Sequence, residues 1–179
     1  MEPTSVAATS LPMADKDPPI SHTQFTVPIT SSDKNKTTHT MERTFIILKP
    51  DCLQNKHAGD VISRFESAGF FIIACKMTRL SDVVLREHYA HLAHLPFFSE
   101  IIDFMSSSPV ILMILEGENC VAHVREILGA TDSQAAAPGT IRKTYGTDKM
   151  RNIAHASDSP QNAKIEMRRF FKADEICNP

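Results

Sequence analysis

Apolar residues are sparse and without period up to about residue 40; beyond it they fall into runs and stripes. "RTFIILKPD" opens the ordered part. Arg43 to Lys49 is apolar on consecutive positions, as in a central strand covered on both faces, and Pro50 is expected to stop it. In "AGDVISRFESAGF", Val61, Ile62, Phe65 and Ala68 recur at helical spacing, and Gly69 suits a C-terminal cap. "FFIIACKMTRL" reads as a second strand. "SDVVLREHYAHL" reads as a helix with Ser81 as N-cap, and "PFFSEIIDFMSSS" as another helix after Pro96. "PVILMILEG" is a third buried strand. "ENCVAHVREILG" places Cys120, Val121, Val124, Ile127 and Leu128 on one helical face before Gly129. Residues 130 to 154 read mostly as loop, with a short strand near Arg151 to Ile153. "SPQNAKIEMRRFF" is the last helix, with Ser159 as N-cap and Pro160 at the first helical position.

The resulting order, β-α-β-α-α-β-α-loop-β-α, predicts an α/β (α+β) fold. The expected form is a ferredoxin-like sandwich, a four-stranded antiparallel sheet covered by helices. The strands alone leave a doubly wound sheet open. No internal repeat is visible.

Residues 1–40 are rich in Ser, Thr, Pro and Lys/Asp, and such a segment buries too little apolar surface to offset its ordering entropy. It is expected to be a disordered N-terminal tail ahead of a single domain over 41–179. It resembles neither a secretory signal nor an arginine-rich transit peptide, so the expected location is cytoplasmic, with a targeting or docking role of the tail left open. The net charge of -2 gives no electrostatic footprint for nucleic acid or an anionic membrane. The longest apolar run, Val110 to Leu115, cannot span a bilayer. Cys52, Cys75, Cys120 and Cys177 are scattered without a C-x-x-C, which suits reduced thiols. Cys75 and Cys120 sit in apolar patterns and are expected to be buried.

On the last helix Ala163, Met167, Phe170 and Phe171 form an apolar stripe, and Glu166 falls on it. Its carboxylate either reaches water at the stripe's edge or pairs with a group brought by the preceding loop, where "RNIAHASDSP" offers His155. A histidine held by a carboxylate or hydroxyl has a fixed tautomer and one nitrogen left free; a lone loop histidine is otherwise most often a surface residue. Lys49, Arg125, Thr131 and Arg142 make up a kit for phosphate: two bidentate forks, a point charge and a hydroxyl. No G-x-x-x-x-G-K-(S/T) loop is present, so any phosphate must be held by side chains rather than a glycine cradle.

"ERTFIILKPD", "RFESAGF", "HYAHL" before "PFF", "SPVILMILEGEN", "LGAT", "PGTIR" and "NIAHASDS" stand in one order over residues 42 to 172. Together they resemble the nucleoside diphosphate kinases, whose active-site signature is N-x-x-H-(G/A)-S-D. The resemblance implies ATP-dependent transfer of a γ-phosphate to nucleoside diphosphates, ping-pong, through a phosphohistidine on His155. It implies that Glu166 holds His155, with Ser157 bonding between them. Lys49 and Tyr89 then reach the transferring phosphate and the sugar side, and Arg125, Thr131 and Arg142 clamp phosphates. Asn152 touches the sugar, and Phe97 stacks on the base. Mg²⁺ is implied as cofactor, held chiefly by substrate phosphates and water rather than by protein ligands; Asp158 either holds such a water or has a structural role at the helix start. The implied partners are ATP, nucleoside diphosphates and further copies of the chain, as a homo-tetramer or homo-hexamer.

Departures from the family pattern are local. Cys52 stands where glycine is usual and "QNKHAG" follows it, which predicts a changed loop and sensitivity to oxidation. Leu95 replaces an arginine before "PFF". "TDSQAAAPGT" and "RKTYGTDKMRN" depart in the segment linked to subunit contact. Lys149 stands where an apolar residue usually covers the base. No residue given a catalytic or phosphate role is missing, so an active enzyme is expected. The alternative is a catalytically weak nucleotide-binding or scaffold protein on the same fold. A single-strand nucleic-acid binder would need aromatics on the central strand, and "PVILMILEG" has none.

Overall fold

The computed structural model describes residues 40–177. The expectation for the N-terminal tail lies, but for its last residue, outside the described residues. Four strands form one antiparallel sheet: β1 (Met41–Leu48), β2 (Phe71–Thr78), β3 (Val110–Glu118) and β4 (Ala154–Ala156), in the order β2-β3-β1-β4. All pairs are antiparallel, so the expected sandwich is found and the doubly wound alternative is not. The helices are α1 (Pro50–Gln54), α2 (Ala58–Ser67), α3 (Asp82–His88), α4 (Phe98–Ser106), α5 (Cys120–Leu128), α6 (Ile141–Tyr145) and α7 (Pro160–Phe170).

The consecutive apolar run of β1 follows from helices on both sheet faces. Ile46 and Leu48, with Met113 and Leu115 of β3, pack against Val61 and Phe65 of α2 and Val124 and Leu128 of α5. Phe45 and Ile47, with Leu112 and Ile114, pack against Leu85 of α3, Ile102 and Met105 of α4, and Phe170 of α7. Successive strand residues point to opposite faces, so every β1 position from Phe45 to Leu48 is buried.

Caps fall where the sequence placed them. Ser81 Oγ accepts from Val84 N, Ser159 Oγ accepts from Asn162 N, and Gly69 takes φ +88 after α2. Three expectations change. Pro50 both ends β1 and starts α1, because its fixed φ also suits a first helical turn. The 130–154 segment contains α6, capped by Thr140. The fourth strand begins one residue after the expected Arg151–Ile153. Ile153 has φ +74 and turns the chain into β4, which carries His155 itself.

The cysteine expectations are corrected in two places. Cys120 is buried, but Cys75 is exposed on β2, since it lies on the side away from Ala74. Cys52 is fully buried in α1. Burial, and then the neighbouring Asp51, push its thiol up to about 12, which works against the thiolate that oxidation needs. All four thiols are free.

Candidate active site

The β1–β4 register places His155 opposite Ile47, on the sheet face shared by Phe45, α3 and α7. Its neighbours Ala154 and Ala156 turn to the other core. The small alanines leave the imidazole as the one functional group of the strand, and its ring lies 6.3 Å from that of Phe45.

α7 crosses the same face and brings Glu166 to it. Glu166 Oε2 lies 3.1 Å from His155 Nε2 and accepts a 2.6 Å bond from Ser157 Oγ. Ser157 Oγ in turn accepts from Phe45 N at 3.3 Å, which ties the carboxylate to the central strand. Of the two readings of Glu166, pairing with His155 is the one observed. Ser157 is not interposed between them; both groups bond the same carboxylate oxygen. Burial opposes ionisation of Glu166, but the bonds and charge of His155, with the Ser157 bond, overcome it and hold its carboxyl below the usual range. With Nε2–H donating to this carboxylate, the lone pair of His155 sits on Nδ1.

His155 opens on a cavity of about 1090 Å³. Lys49, Tyr89, Phe97, Arg125, Thr131, Arg142, Asn152 and Glu166 all line it, each from a separate stretch of chain; Ser157 lies behind them. Lys49 follows the last residue of β1, and its Nζ donates to Asn152 Oδ1 at 2.6 Å and Met150 O at 3.1 Å. Burial lowers the pKa of Lys49 to about 8, against the opposing pull of Asp51. Asn152 is 1% exposed, and its Nδ2 also donates to the carbonyls of Thr131 and Lys149. The side chain thus joins Lys49 to two loops and has one Oδ1 lone pair to spare.

Arg142 is buried, with Nη1 donating to Gly129 O and Nη2 to Ala154 O, both at 2.8 Å. Its Nε has no partner among the described residues. Burial, then the charge of Arg125, lower its pKa to about 10. Arg125 is exposed on α5. Phe97 is 43% exposed, an aromatic ring open to a flat ligand. Tyr89 is nearly buried, and burial, then Glu166, push its hydroxyl above the usual range. Lys149 is a well-exposed cavity residue 4.0 Å from Asp132.

Sequence reasoning missed two groups. His88, on α3, is 6% exposed, and its ring stands edge-on to His155 with centroids 4.8 Å apart. Its Nδ1 accepts a long 3.5 Å contact from Arg169 Nη1, since a guanidinium has no lone pair to offer. Burial, then the charge of His155, lower its pKa to about 3, so His88 is neutral at ordinary pH. Nothing in "EHYAHLAH" separates His88 from His91 and His94 except its place three residues after the buried Leu85. Asp51, directly after Pro50, is buried, and its Oδ2 accepts from Ile153 N at 2.9 Å. Nothing in "LKPDCLQ" marks it out, because its partner lies 102 residues away along the chain.

The family model described as nucleoside diphosphate kinase matches residues 42–176. The chain is 47% identical over 136 residues to a nucleoside diphosphate kinase of Pelotomaculum thermopropionicum, covering 76% of this chain and 91% of that one. It is also 47% identical over 138 residues to one of Archaeoglobus fulgidus, covering 77% and 91%. Among solved structures, the Aquifex aeolicus nucleoside diphosphate kinase superposes with a TM-score of 0.74 at 45% identity, covering 76% of this chain and 99% of that chain. The Halobacterium salinarum nucleoside diphosphate kinase in complex with CDP gives 0.76 at 39% identity, covering 78% and 93%.

Proposed function

The chain belongs to the nucleoside diphosphate kinase family, and on that premise we propose that His155 is the nucleophile of its phosphoryl transfer. The protein is a nucleoside-diphosphate kinase, a phosphotransferase that acts on nucleotides. The observation that carries the assignment of the nucleophile is the 3.1 Å contact between His155 Nε2 and Glu166 Oε2, which leaves Nδ1 as the attacking nitrogen.

In the first half-reaction the Nδ1 lone pair forms a P–N bond to the γ-phosphorus of ATP. The bond from that phosphorus to the bridging oxygen breaks, and ADP leaves with the electron pair. In the second, a terminal phosphate oxygen of a nucleoside diphosphate forms the new P–O bond, and the P–N electrons return to Nδ1. The transferring group spreads its charge over three oxygens, so catalysis is chiefly positioning and charge neutralisation. Lys49, Arg125, Arg142 and Thr131 are the groups for that task, with Tyr89 beside them. Asn152 holds Lys49 and offers its remaining lone pair to the sugar. Phe97 supplies a π-face that every base can use, and CDP is the diphosphate bound by the Halobacterium salinarum relative. Lys149 covers the ring with its stem.

The cavity also fits Mg²⁺ brought with the nucleotide. Asp158 lines it, and Asp158 Oδ1 accepts from Ser159 and Asn162, which leaves Oδ2 to hold a metal-bound water. When bound, the ion neutralises phosphate charge.

The chain is proposed to act as a homo-tetramer or homo-hexamer in the cytoplasm. Exposed Phe71 and Met77 on the edge strand β2 support self-association, and the free thiols support a reducing compartment. Among the described residues no helix is long and apolar enough to cross a membrane.

The test is incubation with γ-labelled ATP and Mg²⁺, beside His155→Ala. Acid-labile label on wild type, its absence from the variant, and its discharge onto added GDP support the assignment. A variant that labels as wild type does would contradict it.

A further inference from the structure

We propose that His88, His155 and Glu166 form a binding site for a divalent transition-metal cation of the Zn²⁺ class, and that its occupancy switches phosphoryl transfer off. The binding half stands on geometry alone; the switch half rests on the assignment of His155 as nucleophile.

One ligand atom from each of the three residues lies within 4.8 Å of the other two, the one such cluster among the described residues. His88 comes from α3, His155 from β4 and Glu166 from α7, so the cluster is held by three packed elements rather than by one loop. His88 is 6% exposed, and its Nε2 is buried with no hydrogen-bond partner among the described residues. With Nδ1 accepting from Arg169, Nε2 carries the ring proton; a cation binds Nε2 once that proton has moved to Nδ1, which breaks the Arg169 contact, and it then supplies the partner the buried nitrogen lacks. Two imidazoles and one carboxylate are a donor set used for Zn²⁺, with the fourth position taken by water. Imidazole nitrogen favours Zn²⁺ and Cu²⁺ over Mg²⁺, so the Mg²⁺ that accompanies a nucleotide does not compete for these ligands. Adjacent ligands of a tetrahedral Zn²⁺ lie about 3.3 Å apart, given metal–ligand lengths near 2.0–2.1 Å. His155 and Glu166 already stand 3.1 Å apart, and His88, within 4.8 Å of both, is the ligand that must move closer.

Inactivation follows from the ring chemistry. A cation on His155 Nε2 takes the lone pair made available when the proton there is displaced. The neutral imidazole then carries its proton on Nδ1, and the nucleophile has no lone pair. A cation on Nδ1 blocks the same nitrogen directly. Arg169 opposes binding: its Nη1 lies 3.5 Å from His88 Nδ1, and its Nε is held by Glu87 at 2.9 Å.

The experiment titrates the full chain with Co²⁺, free of nucleotide and Mg²⁺, and reads the ligand-field absorption. The expected spectrum is tetrahedral with nitrogen and oxygen ligands, and added Zn²⁺ bleaches it. His88→Gln weakens binding at least tenfold, and Arg169→Leu tightens it several-fold. No absorption in wild type overturns the site. So does equal binding by His88→Gln, or a thiolate charge-transfer band that assigns the ion to exposed Cys75 or Cys177. Arg169→Leu keeps the test decisive if His88→Gln folds poorly, since unchanged affinity there also overturns it. The switch half is read separately, as loss of γ-phosphate labelling of wild type when Zn²⁺ is added. Labelling that persists at saturating Zn²⁺ overturns the switch alone, whereas a wild type that never labels without metal contradicts the nucleophile and not the site.

Discussion

Asp51 Oδ2 accepts the backbone N–H of Ile153 at 2.9 Å, and Ile153, a β-branched residue with φ +74, is fully buried. That backbone region is costly for such a side chain, so something must hold it there. Ile153 O also accepts from Lys49 N at 2.9 Å. The two bonds tie the turn before β4 to the end of β1, and β4 carries His155. Asp51→Ala therefore removes a charge-assisted bond from a strained residue, with a loss of about 2 kcal/mol. Urea unfolding reads the loss, and the rate of phosphoenzyme formation falls with it.

Glu166 fixes which nitrogen of His155 bears the proton. Glu166→Ala leaves both His155 Nε2 and Ser157 Oγ without their acceptor. The chemical step slows by about a hundredfold, with KM little changed, because the carboxylate acts on the nucleophile and not on ground-state binding. Single-turnover labelling separates the two quantities.

Lys49 titrates near 8 because it is buried. Below that pH the ammonium carries the charge that meets a phosphate; as pH rises through about 8 the free enzyme loses it. Nucleotide affinity falls in that window, and binding there takes up a proton. Calorimetry in buffers of different ionisation enthalpy detects the uptake. Lys49→Met abolishes it.

The turn at Gly129 supports Arg142. Gly129 has φ +84, and a Cβ there would lie 2.5 Å from Thr140 Oγ1, while its carbonyl accepts from Arg142 Nη1. Gly129→Ala costs about 1–3 kcal/mol from strain and contact. It also raises the KM for nucleotide, because the guanidinium loses its anchor. Thermal melting and steady-state kinetics read the two effects.

Thiol accessibility distinguishes the cysteines. Cys75 and Cys177 are exposed, whereas Cys52 and Cys120 are buried. A thiol reagent modifies the first two in the folded protein and reaches the others only on unfolding. Rapid modification of Cys52 in the native state would contradict its burial.

The strands and long helices were legible because they follow simple periods. β1 and β3 are apolar throughout, and α2, α5 and α7 each show one stripe with a cap. The short elements were not. α1 and α6 have five residues each, fewer than two turns, and so carry no readable stripe. β4 pairs at three positions only, and its start is set by Asp51 and Ile153, which meet across the fold. Of the candidate site, the residues carried by a motif were nameable from the chain alone, and the cavity brings them together. His88 was not nameable, because its role depends on a ring contact between α3 and β4. The order of bonds around Glu166 was equally hidden. The stripe offered His155 as its partner and the family resemblance added Ser157, but only the folded chain puts both on one oxygen.

The most direct measurement is the identity of the phosphorylated nitrogen. Wild-type protein is loaded from ATP and Mg²⁺, separated from nucleotide, and analysed by ³¹P and ¹H NMR with mapping of the modified residue. The geometry predicts a single phosphohistidine at residue 155, bonded through Nδ1, that is consumed stoichiometrically by a nucleoside diphosphate. Phosphate on Nε2, or on another residue while His155 stays unmodified, would contradict the account.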